Sequence, residues 1–556
     1  MSSPPPLRAR WMWVAAVLLL AAEFMIFDRA TSRHHARYYP RWNDQIQYLS
    51  ESYRGYEDAK AHGFVHGLQA TLTNPVPQGT LHDVAALFVF TVAGGPSRSA
   101  ALSLNMLAFL AWQAALLFAF TRASGSWTVG WMAFGLLPCL YWPWSAEAGS
   151  AVDFRLDHSA MCLLGLSAAT AVLTRGFRAA GWSAALGVAL GFTVIERFLT
   201  SVYLVPIFFL TIGWILCGPE KRLRLRNLFL AGLVTSALVG PVFWMNRHQL
   251  YEYYWVGQVS SAEAAARLPG YTLWQSVQFV FLYFREQQLG PWFLGTVTVL
   301  TLPLLGLALW SRRRDRAASF PRPDWDWLYL SLVFFAVPTL VLCVHQQKSN
   351  IVLGVMVPGA ILFVGWVWAV LWPRAAATLR ALPTGRFGPV VFAVVAVYAG
   401  ARFFCVRQFW QPHSQAFIEG SQRVNHLSDY FFDHSRAAGL ATARIGVDQV
   451  TDAFDAQIMR VVCYERKGIW MPYQMLLPTG ILEAPEDVIM ERLRECDFVL
   501  VTDEMVGHGH WPYDKQMRRL YPTVKAWCEA NLRHVETFPI FDRKMSLYQR
   551  RDISGR

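Results

Sequence analysis

Long apolar segments follow one another through the first 405 residues, separated by short polar connections. A helix needs about 20 predominantly apolar residues to cross the hydrocarbon core of a bilayer. The apolar stretch 180–217 is long enough for two such helices, with a turn near Arg197. The pattern therefore predicts a polytopic α-helical membrane protein with about eleven spans. The predicted spans are 11–27, 99–121, 126–143, 157–174, 180–197, 198–217, 227–245, 291–310, 326–343, 351–372 and 387–405.

The pattern changes after residue 405. Apolar runs become short and are bounded by polar residues, which is typical of alternating strands and helices. These features predict a small C-terminal α/β domain at 406–556 that follows a transmembrane domain at 1–405. The predicted elements are strands at 443–450 and 496–504, helices at 485–495 and 514–530, and a closing hairpin at 538–552.

Basic residues are concentrated in alternate connections between the predicted spans. Connections 175–178, 220–226 and 311–316 are rich in Arg and Lys, whereas connections 144–156 and 344–350 hold one basic residue each. Because basic loops stay in the cytoplasm, the N-terminus is predicted to be cytoplasmic and the tail, after an odd number of spans, extracytoplasmic. The net charge of +12 arises mostly from such short runs in a chain that is 54% hydrophobic. We therefore predict a membrane protein without a nucleic-acid partner.

The first long loop, 28–98, is basic although it is predicted to lie outside the cytoplasm. Long loops are translocated largely regardless of charge, so the orientation stands, and an anionic ligand is one reason for the basic residues. Segments 44–58 and 82–94 are predicted to be helical, and the second is short enough to favour a helix at the membrane interface. In the second long loop, 246–290, the aromatic run 251–255 indicates either an interfacial belt or a surface for stacking a sugar.

Charged residues near the predicted outer ends of spans are the candidates for chemistry. Asp44 begins a predicted helix and is either an acid favoured by the helix dipole or a base toward a hydroxyl. Asp157 either caps the following helix or serves as a second acid. Arg197 either binds an anion or pairs with Glu196, and Lys348 either binds an anion or extends to the membrane interface.

Histidine and cysteine spacing does not predict a metal site. His62 and His66 are four residues apart, but Gly63 and Gly67 weaken a helix there, and His82 does not complete a metal triad. The eight cysteines contain no CxxC pair. We therefore predict surface or interface histidines, no metal ligands and no required cofactor, and leave the use of a divalent metal by the reaction open.

An ordered series of short motifs resembles the GT-C fold superfamily of protein O-mannosyltransferases and aminoarabinose transferases. Residues 44–48, DQIQY, are similar to the Asp-Glu-x-x-Tyr motif of the family's first outer loop, with Gln45 in place of the Glu. Residues 77–95 resemble the family's interfacial helix, with GTL at 79–81 where the family has Pro-Pro-Leu. The further matches, in the family's order, are Arg98, Asp157, Arg197, Lys348 and Pro358.

The resemblance implies a glycosyltransferase that takes its sugar from a polyprenyl-phosphate carrier, with inversion at the anomeric carbon. Asp44 is then the general base and Asp157 a second catalytic acid. Arg197 and Lys348 then bind the donor phosphate. The residues assigned to substrate binding beside them are Tyr48, His82 and Asp153.

The predicted acceptor is a lipid, a polysaccharide or a protein on the outer face of the cytoplasmic membrane. A transporter or flippase for a lipid-linked saccharide would have internal pseudo-symmetry and broken spans at matched positions in two halves, and the sequence has neither. A non-catalytic envelope assembly protein would leave the ordered motifs unexplained. Sugar transfer is therefore the leading hypothesis.

Overall fold

Helices make up most of the structure, which is a computed structural model of the chain. The described residues are 6–38, 43–73, 78–145, 147–262, 265, 270–314, 324–345, 348–381, 413–440, 443–448, 456–476, 482–502, 512–541 and 543–551. The helices are α1 Pro6–His34, α2 Asn43–His62, α3 Phe64–Thr73, α4 Leu81–Ala93, α5 Arg98–Ser124, α6 Trp127–Leu136, α7 Leu156–Leu173, α8 Ala180–Glu196, α9 Ser201–Cys217, α10 Lys221–Leu250, α11 Leu273–Tyr283, α12 Gly290–Arg314, α13 Trp325–Val344, α14 Val357–Ala381, α15 Gln415–Ala437, α16 Ala456–Lys467, α17 Glu486–Glu495 and α18 Pro512–Asn531. Tighter or wider helical turns lie at Leu137–Cys139, Trp142–Trp144, Phe198–Thr200, Tyr251–Ser260, Phe284–Leu289 and Ile351–Met356.

Ten of the predicted spans coincide with helices in the described part of the chain. Eight of these helical segments are long and apolar enough to cross a bilayer, and the segments at 127–139 and 180–196 are apolar but shorter. The predicted span 126–143 is α-helical only to Leu136, because Pro138 and Pro143 convert its second half into two tight turns. The predicted span 387–405 lies outside the described residues, so the total of eleven stays a prediction.

Close packing between spans relies on glycine at two crossings. A Cβ atom built on Gly165 in α7 would lie 2.0 Å from the ring of Trp112 in α5, and one built on Gly365 in α14 would lie 1.8 Å from Phe120. Helices in a bilayer approach each other most closely where small residues meet. Trp112 and Phe120 are fully buried, so these crossings form the interior of the bundle.

Loop 28–98 folds into three helices at one end of the bundle. α2 and α3 form a hairpin, and α4 packs against α2 and α5. The helices predicted at 44–58 and 82–94 correspond to α2 and α4. α4 ends at Gly94, whose φ of 78° lies in the left-handed region that glycine adopts without steric cost.

Five strands form one mixed sheet near the C-terminus. The strands are β1 Ile445–Val447, β2 Tyr473–Met475, β3 Phe498–Thr502, β4 Leu532–Ile540 and β5 Arg543–Arg550, in the spatial order β2-β1-β3-β5-β4. β1 is parallel to β2 and β3, whereas β5 is antiparallel to β3 and β4. Every residue of β3 is buried, as expected for a central strand covered on both faces.

The predicted α/β character of the tail is confirmed. The strands predicted at 443–450 and 496–504 correspond to β1 and β3, and the helices predicted at 485–495 and 514–530 correspond to α17 and α18. The closing hairpin begins at Leu532, six residues before its predicted start. The predicted boundary after residue 405 lies outside the described residues and stays a prediction.

The first loop contacts the C-terminal α/β unit through α2. The Glu465 carboxylate in α16 lies 3.0 Å from the Arg98 guanidinium and accepts a 2.8 Å hydrogen bond from the Tyr53 hydroxyl. The Trp470 indole donates a 2.7 Å hydrogen bond to the Glu57 carboxylate. Arg98, one of the residues in the ordered motif series, therefore joins the start of α5 to the tail.

Candidate active site

Three charged side chains meet where loop 28–98 lies over the ends of the spans. The Arg155 guanidinium is 3.0 Å from a carboxylate oxygen of Asp44 and 3.0 Å from one of Asp153. Asp153 is buried and Arg155 nearly so, whereas 64% of the Asp44 side chain is exposed. Asp44 is therefore the member of this group that a dissolved or membrane-bound molecule can reach.

The segment that carries Asp153 and Arg155 is held in place by hydrogen bonds to two helices. The Asn105 amide in α5 donates a 2.8 Å bond to the Asp153 carbonyl, and the Gln45 side chain in α2 accepts a 3.0 Å bond from the Phe154 backbone N–H. A carboxylate at position 45 could accept the same bond only with a buried charge, because Gln45 is buried. The neutral amide of Gln45 therefore suits this buried position, where the Asp-Glu-x-x-Tyr motif has a Glu.

Burial also changes the acid chemistry of Asp153. Removal from water raises the pKa of the Asp153 carboxyl to about 7, and Arg155 and a 2.5 Å hydrogen bond from the Gly149 backbone N–H oppose this rise. The Asp153 carboxyl therefore gains or loses its proton near neutral pH.

A second ion pair borders a cleft between the spans. The Arg197 guanidinium lies 3.0 Å from a carboxylate oxygen of Asp157. The cleft beside this pair is narrow, with room for about one water molecule. Its walls are otherwise mostly apolar and come from α7, α9 and the turn before α14. The lining residues are Asp157, Ala160, Arg197, Leu199, Thr200, Tyr203, Ile351, Val352, Gly354 and Val355.

Arg197 lies in a break between two apolar helices. α8 ends at Glu196, and Arg197 has an extended backbone with φ −146° and ψ 105°. Two backbone hydrogen bonds join this break to the first loop: Thr80 N–H donates to the Ile195 carbonyl over 2.9 Å, and Phe198 N–H donates to the Gln78 carbonyl over 3.0 Å. The groups left unpaired by the helix break are therefore satisfied by the loop that also carries Asp44.

Gly79 permits this close approach. A Cβ atom at position 79 would lie 1.9 Å from the Glu196 carbonyl oxygen, well inside van der Waals contact. Only glycine fits here without moving the backbone on one side. The Gly-Thr-Leu sequence at 79–81 thus has its own structural reason, although the resembling family has Pro-Pro-Leu at this point.

A buried polar network supports the break from behind. The Glu196 carboxylate lies 3.0 Å from His82 Nδ1 and accepts a short hydrogen bond from the Ser159 hydroxyl. All three side chains are buried, and the His82 ring packs against Phe154 with centroids 4.1 Å apart. Glu196 and Arg197 therefore have different partners, so the Glu196–Arg197 pair weighed above is not formed.

Three tyrosines surround the Arg197 side of the site. The Tyr48 phenol is buried within electrostatic range of Arg197, Asp44 and Asp157, and burial raises its pKa well above the ordinary value. Tyr253 and Tyr254 also lie within electrostatic range of Arg197. The aromatic run 251–255 thus reaches the site.

Lys348 is directed toward a helix end. Its ammonium donates hydrogen bonds of 2.8 Å to the Leu342 carbonyl and 3.1 Å to the Cys343 carbonyl, and a further short bond to His345. These are the free carbonyls at the end of α13, which a cation near a helix C-terminus stabilises. Lys348 does not line the cleft beside Arg197.

Most of the residues predicted from the sequence are brought together. Asp44, Tyr48, Asp153, Asp157 and Arg197 lie around one region, His82 lies behind it, and Lys348 caps α13. Arg155 and Ser159 were not predicted to take part. Glu196 was considered only as a partner of Arg197, and Tyr253 and Tyr254 only as members of the aromatic run. Arg155 carried a signal, because it lies between two acids in the sequence.

Comparisons with known proteins bear on the fold. No protein-family model and no curated protein matches the chain. The crystal structure of ArnT from Cupriavidus metallidurans in the apo state superposes with a TM-score of 0.57 at 13% identity, over 97% of this chain and 98% of ArnT. The chain shares the ArnT fold.

Two further structures agree with this assignment. ArnT bound to undecaprenyl phosphate gives a TM-score of 0.55 at 13% identity, over 98% of this chain and 99% of that one. The archaeal oligosaccharyltransferase AglB from Archaeoglobus fulgidus, in complex with an inhibitory peptide and a dolichol-phosphate, gives a TM-score of 0.51 at 10% identity. This match covers 96% of this chain and 76% of AglB. The GT-C fold and the multi-pass membrane architecture with a small C-terminal α/β unit are confirmed.

Proposed function

We propose that this chain is a membrane glycosyltransferase that moves a sugar from a polyprenyl-phosphate carrier to an acceptor hydroxyl. The observation that carries the proposal is the exposed Asp44 carboxylate, held by Arg155 near the Asp157–Arg197 pair and its cleft. The fold supports it, because structures with this fold contain undecaprenyl phosphate or dolichol-phosphate.

Arg197 is the proposed ligand of the donor phosphate. A guanidinium has five N–H donors, and the contact with Asp157 through one nitrogen leaves others for phosphate oxygens. The walls of the cleft are mostly apolar, as contact with a polyprenyl chain requires, and binding of the donor would have to widen this narrow cleft. As the sugar leaves, negative charge grows on the phosphate, and a fixed cation stabilises that charge. Lys348 is proposed as a second phosphate ligand. To bind the donor, its ammonium would have to exchange its hydrogen bonds to the α13 carbonyls for bonds to the phosphate.

Asp44 is the proposed general base. The acceptor hydroxyl gives its proton to the Asp44 carboxylate while its oxygen forms the bond to the anomeric carbon, and the bond from that carbon to the phosphate oxygen breaks. Arg155 fixes the position of this carboxylate through their 3.0 Å ion pair. Attack opposite the leaving phosphate would invert the anomeric carbon.

The remaining predicted residues have supporting roles in this scheme. Asp157 orients Arg197 and borders the cleft, where it can also contact the acceptor. Tyr48 presents a protonated phenol next to Arg197 for a sugar or phosphate oxygen. Asp153 holds Arg155, and His82 supports the backbone break at Arg197 through Glu196.

The reaction is proposed to take place on the outer face of the cytoplasmic membrane. The bias of Arg and Lys toward alternate loops supports a cytoplasmic N-terminus and an external position for the loop with Asp44. The acceptor is then a lipid, a glycan or a protein exposed on that face.

Steady-state kinetics of two variants test the proposal. In a transfer assay with a labelled polyprenyl-phosphate sugar, Asp44→Asn should lower kcat by about 10²- to 10⁴-fold, as expected for loss of a general base. Arg197→Gln should raise the KM for the donor as well, because it weakens phosphate binding. Asp487→Asn, an exposed acid in the first turn of α17, is the matched control.

Two results would overturn the proposal. The first is a kcat of Asp44→Asn equal to that of the wild-type protein. The second is a wild-type protein that transfers no sugar from any polyprenyl-phosphate donor but moves a lipid-linked saccharide across vesicle membranes, which would identify a flippase.

A further inference from the structure

An aspartate and two histidines meet at the corner between α2 and α3. His62 Nδ1 lies 3.0 Å from one carboxylate oxygen of Asp58, and His66 Nδ1 lies 2.8 Å from the other. The three ligand atoms that these side chains offer all lie within 4.8 Å of one another. Both imidazoles are more than half exposed, so the corner is open to solvent.

The backbone brings these side chains together before any ion binds. Asp58 and His62 are one turn apart on α2, which places them on the same face. Gly63, with φ +99°, turns the chain between α2 and α3 and returns His66 to that face. The glycine that weakened the case for a shared helical face in the sequence is therefore what creates the cluster.

Tight packing between α2 and α3 fixes how the two helices lie against each other. A Cβ atom on Gly67 would lie 2.3 Å from the Ala59 side chain, and one on Gly55 would lie 2.7 Å from the Thr71 hydroxyl. Both glycines thus allow the two helices to touch along their length. The neighbours of Asp58 and His66 in the sequence are held in direct contact, which limits how far these two ligands can separate.

We propose that Asp58, His62 and His66 bind one divalent transition-metal ion, with Zn²⁺ as the best-suited ion. Two imidazole nitrogens and one carboxylate oxygen are a ligand set that Zn²⁺ accepts, with metal–ligand distances of about 2.0–2.2 Å and a water molecule as the fourth ligand. The ion takes the place of the imidazole–carboxylate hydrogen bonds, so the side chains need only small movements.

The proposed ion is structural and separate from the candidate active site. Asp58 is fourteen residues from Asp44 along α2, and a helix rises 1.5 Å per residue, so the two lie roughly 20 Å apart. The ion joins α2 to α3 just beyond Glu57, where α2 contacts Trp470 of the C-terminal unit. Its role is to stiffen the first loop, and it does not depend on the reaction proposed above.

Zinc titration of the purified full-length protein tests this site. The protein is prepared in detergent with any affinity tag removed and treated with a chelator, and Zn²⁺ binding is followed by calorimetry and by the shift in Tm. The wild-type protein should bind one equivalent of Zn²⁺ and gain thermal stability. His66→Ala and His62→Ala should each weaken binding by at least about tenfold, since loss of groups beyond the direct ligands already costs 10- to 100-fold.

A matched control separates this site from other histidines. His426 is exposed on α15, in the C-terminal unit, and His426→Ala should bind Zn²⁺ as the wild-type protein does. Equal binding and an equal Tm shift in the His62→Ala/His66→Ala double variant would overturn the proposal, as would a wild-type protein that takes up no Zn²⁺. Sugar transfer should persist in His66→Ala, so failure of the metal site and failure of the proposed enzyme give different results.

Discussion

Replacing Gly79 with alanine places a methyl group against the backbone of the helix break that presents Arg197. The new Cβ atom would lie 1.9 Å from the Glu196 carbonyl oxygen and 2.6 Å from its carbon. Non-bonded carbon and oxygen atoms rarely come closer than about 3 Å in folded proteins. One backbone must therefore move by roughly 1 Å, and no flexible side chain can take up that movement.

The movement breaks the two hydrogen bonds between the loop and the helix break. In the intact structure the Thr80 nitrogen lies 2.9 Å from the Ile195 carbonyl oxygen, and the Phe198 nitrogen lies 3.0 Å from the Gln78 carbonyl oxygen. Each bond contributes about 0.5–1.5 kcal/mol net, so Gly79→Ala should destabilise the protein by about 1–3 kcal/mol. Because Arg197 lies between these bonds, donor binding should weaken as well.

Thermal unfolding in detergent, followed by tryptophan fluorescence, measures the first effect. Gly95→Ala is the control, because Gly95 lies in the same loop and a Cβ atom there would have no neighbour within 4 Å. We expect a lower Tm for Gly79→Ala and an unchanged Tm for Gly95→Ala. Equal Tm values for Gly79→Ala and the wild-type protein would show that the loop does not pack against Glu196 as described.

Three other substitutions test the charged contacts. Arg155→Gln removes the cation beside the buried Asp153 carboxyl and should lower the Tm most above pH 7, where Asp153 is ionised. Adding Asp153→Asn should restore part of the lost Tm, and no restoration would contradict the pairing. Burial raises the pKa of Asp153 to about 7, so the folded state holds this proton more tightly than the unfolded state does, and the free energy of unfolding should fall from about pH 4 to pH 7. The free energy of unfolding of Asp153→Asn should fall less over that range, and a slope equal to that of the wild-type protein would refute this. Glu465→Gln removes the ion pair with Arg98 and should speed hydrogen exchange in α2. Glu495→Gln, which removes the exposed ion pair with Arg444, should not, and equal exchange in both variants would argue against the Glu465 contact.

Hydropathy predicted most of the membrane architecture because span length and apolar composition are local properties. Arg197 illustrates this well, since two adjacent charged residues, Glu196 and Arg197, in a 38-residue apolar stretch marked the helix break that the structure has between 196 and 198. The prolines at 138 and 143 likewise indicate locally that a helix ends, but the predicted span 126–143 did not take them into account.

The site was only partly predictable because its contacts join distant parts of the chain. Asp44 and Asp157 stood out as acids near span ends, yet nothing local indicates that Arg155 pairs with Asp44, which lies 111 residues before it. Glu196 could be paired from sequence only with its neighbour Arg197. The pairing with His82 depends on how loop 28–98 folds back over the spans.

Lys348 shows the limit of a motif match. Its position in the ordered series resembles a phosphate ligand, but the structure directs its ammonium to the carbonyls that end α13. A cation a few residues after a helix can bond the last carbonyls of that helix, so the sequence alone does not separate the two roles. Its part in donor binding stays a prediction.

Release of free polyprenyl phosphate is the measurement that tests the central claim most directly, because it does not require the acceptor to be known. The purified protein in liposomes with membrane-extract acceptors is given an undecaprenyl-phosphate sugar labelled in the lipid. We predict that the wild-type protein releases undecaprenyl phosphate and that Asp44→Asn, with an unchanged Tm, does not. A folded wild-type protein that releases none from a panel of carrier-bound sugars, or an Asp44→Asn variant that releases it at the wild-type rate, would contradict the account.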